Sequence, residues 1–328
     1  MTAATAVPRP YDVEAPLDAY SRVVTAVADR LLPSVASLRV VRRVPGGRVP
    51  AGSGSAVVIT PDGFLLTSAH VVDGSAGGTA SFADGADHEF TVVGTDPLSD
   101  LAVVRCTADG LAPAVLGDAD RLRVGQLVVA VGNPLGYAGS VSAGVVSGLG
   151  RSMAARAGRH TRLVENVVQT DASLHPGNSG GALADASAEV VGVNTALVGP
   201  MVGQGLGMAV PVNATTRGIV ASLMTEGRVR RAYLGIAGGT RPLPPRAAGV
   251  VGRERGLEIV SVVAGSPAAA VGLRPEDIVV ELDGVPVEDV GDLQRLMVSA
   301  RIARPVTVTV VRNGRVETTE VTPEELRT

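Results

Sequence analysis

The chain has no lysine, no tryptophan and a single cysteine in 328 residues, and its four histidines all precede residue 176. Each scarcity excludes something. One cysteine rules out an intramolecular disulfide, so stability must come from packing. Cys106 follows Leu101-Ala102-Val103-Val104 in a strand-like run, which suits a small buried hydrophobe better than a reactive thiol. Aromatics make up 2% of the chain, so the cores must be built from Val, Leu, Ile and Ala. With no lysine, all 29 basic residues are arginines, which reads as compositional bias. The formal net charge of −3 argues against a nucleic-acid partner. No stretch approaches the roughly 18 apolar residues of a membrane-spanning helix. The first ten residues lack the apolar segment of a signal peptide. The expected location is therefore cytoplasmic, with the cell envelope or the exterior as the alternative for a mature form whose leader has been removed.

What is present is an ordinary globular composition, 45% apolar and 19% charged, long enough for about two domains. The most informative stretch is Gly177-Asn178-Ser179-Gly180-Gly181. A serine boxed in by small residues suits an exposed nucleophile, because glycines allow sharp turns and let a substrate carbonyl reach backbone N–H groups. The string also satisfies the G-x-S-x-G elbow of α/β-hydrolases, which need their histidine after the serine. His70, His88, His160 and His175 all lie before Ser179, so that reading fails. A base upstream is left, in either the His-Asp-Ser or the Asp-His-Ser order. The second order, that of subtilisins, places the serine at the start of a helix. Here Ser179 leads into Ala182-Leu183, a polar turn and Val190-Val191-Gly192-Val193, which read as strand, turn and strand.

Apolar spacing at Val23, Val24, Val27 and Leu31 predicts a helix that Pro33 ends. Strands follow at 54–60 and 64–67 around the Pro61-Asp62-Gly63 turn, then at 91–94, 101–106, 126–131, 141–147, 164–170, 190–194 and 207–210. Short strands at this density indicate barrels or a sandwich, not a parallel sheet. Asn213 opens a helix that Gly227 stops. Beyond it a smaller domain holds a strand at 257–263 and a short helix framed by Ser266-Pro267 and Gly272. A longer helix over 291–300 carries Leu293, Leu296 and Met297, and an Asn313-Gly314 hairpin closes the domain. Arg241-Pro242-Leu243-Pro244-Pro245-Arg246 reads as a mobile surface loop. The expected division is a flexible arm over 1–19, a first domain over 20–227, a linker over 228–231 and a second domain over 232–328.

Thr67-Ser68-Ala69-His70 places a histidine at a strand end among small residues, and Ser99-Asp100-Leu101 sets a carboxylate at the mouth of the next strand. With the serine segment, these motifs in this order closely resemble the trypsin-like domain of HtrA-type serine proteases. The second domain, entered through Tyr233-Leu234-Gly235-Ile236, resembles the PDZ module of that family, and the likeness covers residues 20–325. It implies a mainly β fold, a chymotrypsin-like double β-barrel followed by a smaller α+β PDZ domain. It also implies roles. A serine hydroxyl is a poor nucleophile at neutral pH and needs a base to take its proton, with a carboxylate to orient that base. His70 would be the base, Asp100 the orienting acid and Ser179 the nucleophile, with the N–H groups of Gly177 and Ser179 as the oxyanion hole. No metal or cofactor is implied. His88 is read as solvated in a polar turn, His160 as part of an Arg-rich loop over 151–162, and His175 as shaping the loop before Ser179. Asp96 is read as a turn residue before Pro97 and Asp171 as structural.

Cleavage after arginine or lysine would require an acidic residue six positions before the serine by family resemblance, where Ser173 stands. Val193, Asn194 and Thr195 would form the far wall of the pocket, continued by Ala196 and Leu197. Cleavage after Val, Ala, Leu or Ile in unfolded polypeptides is therefore expected. Backbone groups of Leu234, Gly235 and Ile236 would hold the C-terminal carboxylate of a bound peptide; the alternative is that Leu234 and Ile236 are core plugs. Two further readings are a catalytically silent PDZ-bearing adaptor and a holdase-type chaperone. The family resemblance also points to a homotrimer built through Tyr11 and Tyr20, and to switching loops at 173–176 and 197–205.

Overall fold

The computed structural model describes residues 18–134, 139–157, 160–195 and 207–326. The chain divides into two compact units, Met1–Arg228 and Val229–Thr328. Of the arm expected over 1–19, residues 1–17 lie outside the described residues, and Ala19 already belongs to a helix.

That helix, α1 (Ala19–Leu31), starts where the Asp18 carboxylate accepts the Ser21 N–H at 2.7 Å, and it buries Val27 and Leu31. Six strands follow: β1 (Val35–Val44), β2 (Gly47–Val58), β3 (Phe64–Thr67), β4 (Gly77–Ser81), β5 (Asp87–Asp96) and β6 (Leu101–Cys106). They close into a barrel in the order β1-β2-β3-β6-β5-β4, packed inside by Leu38, Val40, Val58, Leu65, Phe82, Phe90 and Val104. Closure leaves no unpaired edge. A one-turn helix, α2 (Ala69–Val72), follows β3.

The second barrel is built from β7 (Leu127–Gly132), β8 (Ser140–Ala157), β9 (His160–Thr170), β10 (Ala182–Ala184), β11 (Val190–Thr195) and β12 (Gly207–Pro211), closed in the order β10-β11-β12-β9-β8-β7. Val128, Val146, Val168, Leu183 and Val191 are among its core residues. The two barrels form the chymotrypsin-like double barrel. Helix α3 (Ala214–Glu226) completes this unit; Asn213 caps its start by accepting the Thr216 N–H at 3.1 Å, and Gly227 ends it in a left-handed conformation at φ +71°.

In the second unit, β13 (Ala232–Tyr233) pairs with β20 (Glu324–Glu325). A separate sheet runs β14 (Ile236–Pro242), β15 (Arg255–Val262), β16 (Ile278–Leu282), β18 (Val306–Arg312), β19 (Arg315–Val321), with β17 (Val285–Pro286) hairpinned onto β16. Three helices pack with it: α4 (Pro245–Val251), α5 (Pro267–Ala270) and α6 (Val290–Leu296). This is the smaller α+β fold that the resemblance to a PDZ module implied.

Four sequence expectations are corrected. The Pro- and Arg-rich loop is ordered instead: Arg241 and Pro242 end β14, Pro245 sits in the first turn of α4, and Leu243 and Ala247 bury themselves against Ile278, Val280 and Val311. Within the Arg-rich segment 151–162, residues 151–157 and 160–162 belong to the paired ends of β8 and β9, with bulges near Gly148 and Arg151 that absorb the irregular spacing. The helix expected over 291–300 ends at Leu296, because Met297 leaves the helical region at ψ 55°, and a 3₁₀ turn covers Ser299–Arg301. His88 lies within β5 opposite Ala80, its ring edge-on to Phe82 at 5.9 Å, and not in a turn.

Candidate active site

Thr67 closes β3, Ser68 is buried, and the one-turn α2 buries Ala69, Val71 and Val72, so His70 is the residue of that turn left facing outward. Its side chain is 40% exposed while that of Asp100 is 5% exposed. His70 Nδ1 lies 2.9 Å from both carboxylate oxygens of Asp100, and the His70 backbone N–H donates to Asp100 Oδ1 at 3.1 Å. The ring is thereby held with Nδ1 on the carboxylate and its other nitrogen directed away from it.

Asp100 itself takes a left-handed backbone conformation, φ +54°, which a non-glycine residue adopts at a cost of roughly 1–3 kcal/mol. The conformation is braced by the Ala69 N–H, which donates to the Asp100 carbonyl at 3.1 Å. Asp96 is buried at the end of β5 and accepts the Ser99 hydroxyl through its carboxylate, so it shapes the turn that delivers Asp100.

The serine loop is fitted between both barrels. Gly177 has φ +96°, and a Cβ on it would lie 2.5 Å from the Pro134 side chain; Gly180 has φ +84°, and a Cβ there would lie 2.2 Å from the Ser55 carbonyl and from Thr67 Oγ1. Neither position can carry a side chain, which leaves Ser179 as the side chain the loop offers between Asn178 and β10. Its own carbonyl accepts the Ser55 N–H at 2.7 Å, and the Gly180 N–H donates to the Asn194 carbonyl at 2.7 Å. The Cβ position of Gly180 also lies 3.1 Å from the Ser68 amide nitrogen, so the chain around Ser179 passes the root of the turn that carries His70. Among the described residues, no acceptor meets the Gly177 N–H.

The residues expected in the pocket have defined partners. Ser173 is exposed, and its carbonyl accepts the Ser142 hydroxyl at 2.7 Å. Val193, Asn194 and Thr195 are at most 2% exposed. The Asn194 amide donates to the Ala182 carbonyl at 2.8 Å, which ties β11 to β10. Thr195 Oγ1 donates to Asp100 Oδ2 at 3.0 Å, so its side chain serves the carboxylate. Ala196, Leu197 and the loop 197–205 lie outside the described residues. His175 is exposed and its carbonyl accepts the Asn178 N–H at 2.9 Å. Asp171 accepts the Val145 N–H at 2.7 Å.

In the second unit Leu234 is buried in the core and Ile236 packs against it. The Leu234 and Gly235 carbonyls accept the Ala268 and Val263 N–H groups at 2.9 and 2.8 Å. β14 begins at Ile236 and is the edge strand of its sheet, with no strand paired on its outer side among the described residues.

Sequence reasoning missed Ser55, a fully buried serine of β2 that makes two hydrogen bonds to the serine loop. Its only trace is a hydroxyl residue among Gly54, Ala56 and Val57. Cys106 is buried, and burial pushes its thiol up, as befits a packing residue.

The trypsin-like peptidase domain family matches residues 54–193 and the PDZ domain family residues 247–322. Among curated proteins, HhoA of Synechocystis sp., which bears a serine-protease name, is 36% identical over 86% of this chain and 73% of its own length. HhoB of the same organism is 38% identical over 83% of this chain, which spans 66% of HhoB. A serine protease of Haemophilus influenzae named as periplasmic is 34% identical, and the chain spans 56% of it. A solved HtrA-type protease, AlgW with a tripeptide, superposes with a TM-score of 0.79 at 30% identity, covering 93% of this chain and 98% of that one. These names correct the expectation of a cytoplasmic protein: relatives from Haemophilus influenzae and Chlamydia pneumoniae are named periplasmic. That expectation drew an address from the first ten residues, which carry no information about the compartment in which the folded units work.

Proposed function

The chain belongs to the HtrA family of trypsin-like serine proteases that carry a PDZ domain, and we propose that it is an endopeptidase that cleaves unfolded polypeptides after small aliphatic residues. Ser179 is the nucleophile, His70 the general base and Asp100 the carboxylate that orients it. The observation that carries this is the fixed arrangement of His70 Nδ1 on both oxygens of a buried Asp100, itself held by Thr195.

In the reaction, His70 takes the Ser179 hydroxyl proton as Oγ attacks the scissile carbonyl. The tetrahedral oxyanion is received by the N–H groups of Gly177 and Ser179. His70 then returns the proton to the leaving amine, and water repeats the sequence on the acyl-enzyme. Asp100 stabilises the imidazolium formed on the way. An oxyanion donor in such a site contributes on the order of 3 kcal/mol to the transition state.

The neutral Ser173 supports a P1 preference for Val, Ala, Leu or Ile over arginine. The PDZ domain binds peptide C-termini along β14, an edge strand of its sheet, with Leu234, Gly235 and Ile236 at the carboxylate end. A homotrimer is part of the same reading, with Tyr20, 56% exposed at the start of α1, as a contact; Tyr11 lies outside the described residues. Hydrolysis of a peptide library tests the specificity. We expect cuts after aliphatic residues that vanish in Ser179→Ala, and preferred cutting after arginine would refute the pocket assignment.

A further inference from the structure

Ser55 belongs to the first barrel yet makes its hydrogen bonds to the loop of the nucleophile. Its N–H donates to the Ser179 carbonyl at 2.7 Å. Its hydroxyl donates to the Gly177 carbonyl at 2.7 Å and accepts the Asn133 N–H at 2.8 Å. Its carbonyl accepts Thr67 Oγ1 at 2.7 Å. The residue is 0% exposed.

The direction of the hydroxyl proton follows from its partners. An amide N–H can only donate and a carbonyl can only accept, so the Asn133 N–H occupies an oxygen lone pair and the proton must point at Gly177. The peptide unit joining Gly177 to Asn178 is then held at both ends, its carbonyl by Ser55 and its N–H by the His175 carbonyl at 2.9 Å. This unit lies between the peptide that presents the Gly177 N–H and the one that presents the Ser179 N–H. Rotating it would tilt both donors away from a common point.

Gly177 is the residue at which such rotation is easiest. It sits at φ +96°, a conformation open to glycine and closed to most side chains, so its backbone has no Cβ to restrict it. Pro134 fills the space where a side chain would stand, but packing alone does not orient a carbonyl. A buried carbonyl deprived of its donor relieves the cost of desolvation by turning towards another.

We infer that Ser55 is a positioning residue that fixes the oxyanion-binding geometry of the second barrel from a strand of the first. The inference rests on the peptidase reading above. It acts through Gly177 and touches neither substrate nor the reacting atoms, so its removal should impair the tetrahedral state far more than ground-state binding.

The test is Ser55→Ala in the full chain, with peptide hydrolysis normalised to the sites titrated by a fluorophosphonate probe, so that misfolded molecules are not counted. The turnover number per titrated site should fall by about 10- to 100-fold, the scale expected for misplaced catalytic groups, with KM within about twofold of wild type. A peptidyl boronic acid, which forms a tetrahedral adduct on serine, should lose affinity by a similar factor, while the matching carboxylate product should bind as before. Ser55→Thr, which keeps the hydroxyl, should recover most of the loss. Unchanged turnover per titrated site, or parallel weakening of boronate and product, would overturn the role of Ser55 while leaving the peptidase reading intact. A wild-type protein that neither cleaves peptides nor labels at Ser179 would refute both.

Discussion

At the scale of single residues, the buried carboxylate of Asp100 decides how the histidine is held. It receives His70 Nδ1, the His70 N–H and the Thr195 hydroxyl, and its backbone is strained to do so. Thr195→Val keeps the shape of the side chain and removes one donor from a buried charge. Hydrogen bonds to charged groups contribute about 1.5–3 kcal/mol, so kcat/KM should fall by at least tenfold; a far-UV circular dichroism spectrum like that of wild type would locate the loss in the site. Unaltered kinetics would show that the hydroxyl is dispensable. His70, Asp100 and Ser179 stand out in the sequence because each lies in a string of small residues, and the structure brings the first two of them into contact. The hydrogen bonds of the Thr195 and Asn194 side chains were not legible, because a strand sequence gives alternation but not what faces each side chain. Ser55 was invisible for a related reason: its partners are 78, 122 and 124 positions away, at Asn133, Gly177 and Ser179.

Elements were legible where periodicity and punctuation agreed. Helix α3 lies between its Asn213 cap and its Gly227 stop as read, and the Asn313-Gly314 turn joins β18 to β19. The failures came where composition suggested a loop but burial favoured order. Proline and arginine between residues 241 and 246 suggest a coil, yet Leu243 and Ala247 close the second face of the PDZ sheet through α4. Leu243 is 7% exposed, and Leu243→Ala should cost this unit about 2–3 kcal/mol. Chemical denaturation of the PDZ domain would measure it, and a change within 0.5 kcal/mol would mean that α4 covers little. The ends of β8 and β9 were likewise hidden, because bulges at Gly148 and Arg151 interrupt the two-residue alternation by which a strand is recognised.

At the scale of the whole molecule, each unit has its own cores: those of the two barrels, and those of the PDZ sheet. The PDZ unit carries an acid-sensitive tie. Asp277 is 1% exposed, and the Arg312 guanidinium meets both its oxygens, at 2.6 and 2.7 Å. Burial pushes this carboxyl up, but the Arg312 hydrogen bonds and the Arg274 N–H outweigh it and hold the group below the usual carboxylate range. A lowered folded-state value contributes stability that is complete above the unfolded value of about 4 and is lost as the pH falls through the folded one. Hydrogen exchange at the Val308 and Val310 amides should therefore quicken as the pH drops below about 4, beyond the intrinsic change in exchange rate. Asp277→Asn should weaken the unit at neutral pH by about 3 kcal/mol and flatten its acid response. A variant with the wild-type acid profile would remove Asp277 from that role.

The central claim concerns one hydroxyl in this assembly, and it can be tested on that oxygen. Incubation of the full chain with a fluorophosphonate, followed by peptide mass mapping, should place a single adduct on Ser179. His70→Ala should slow labelling by at least about a hundredfold, the scale of a lost general base, and Ser179→Ala should abolish it. Labelling of wild type at some other residue, or labelling of Ser179 at an undiminished rate without His70, would contradict the account.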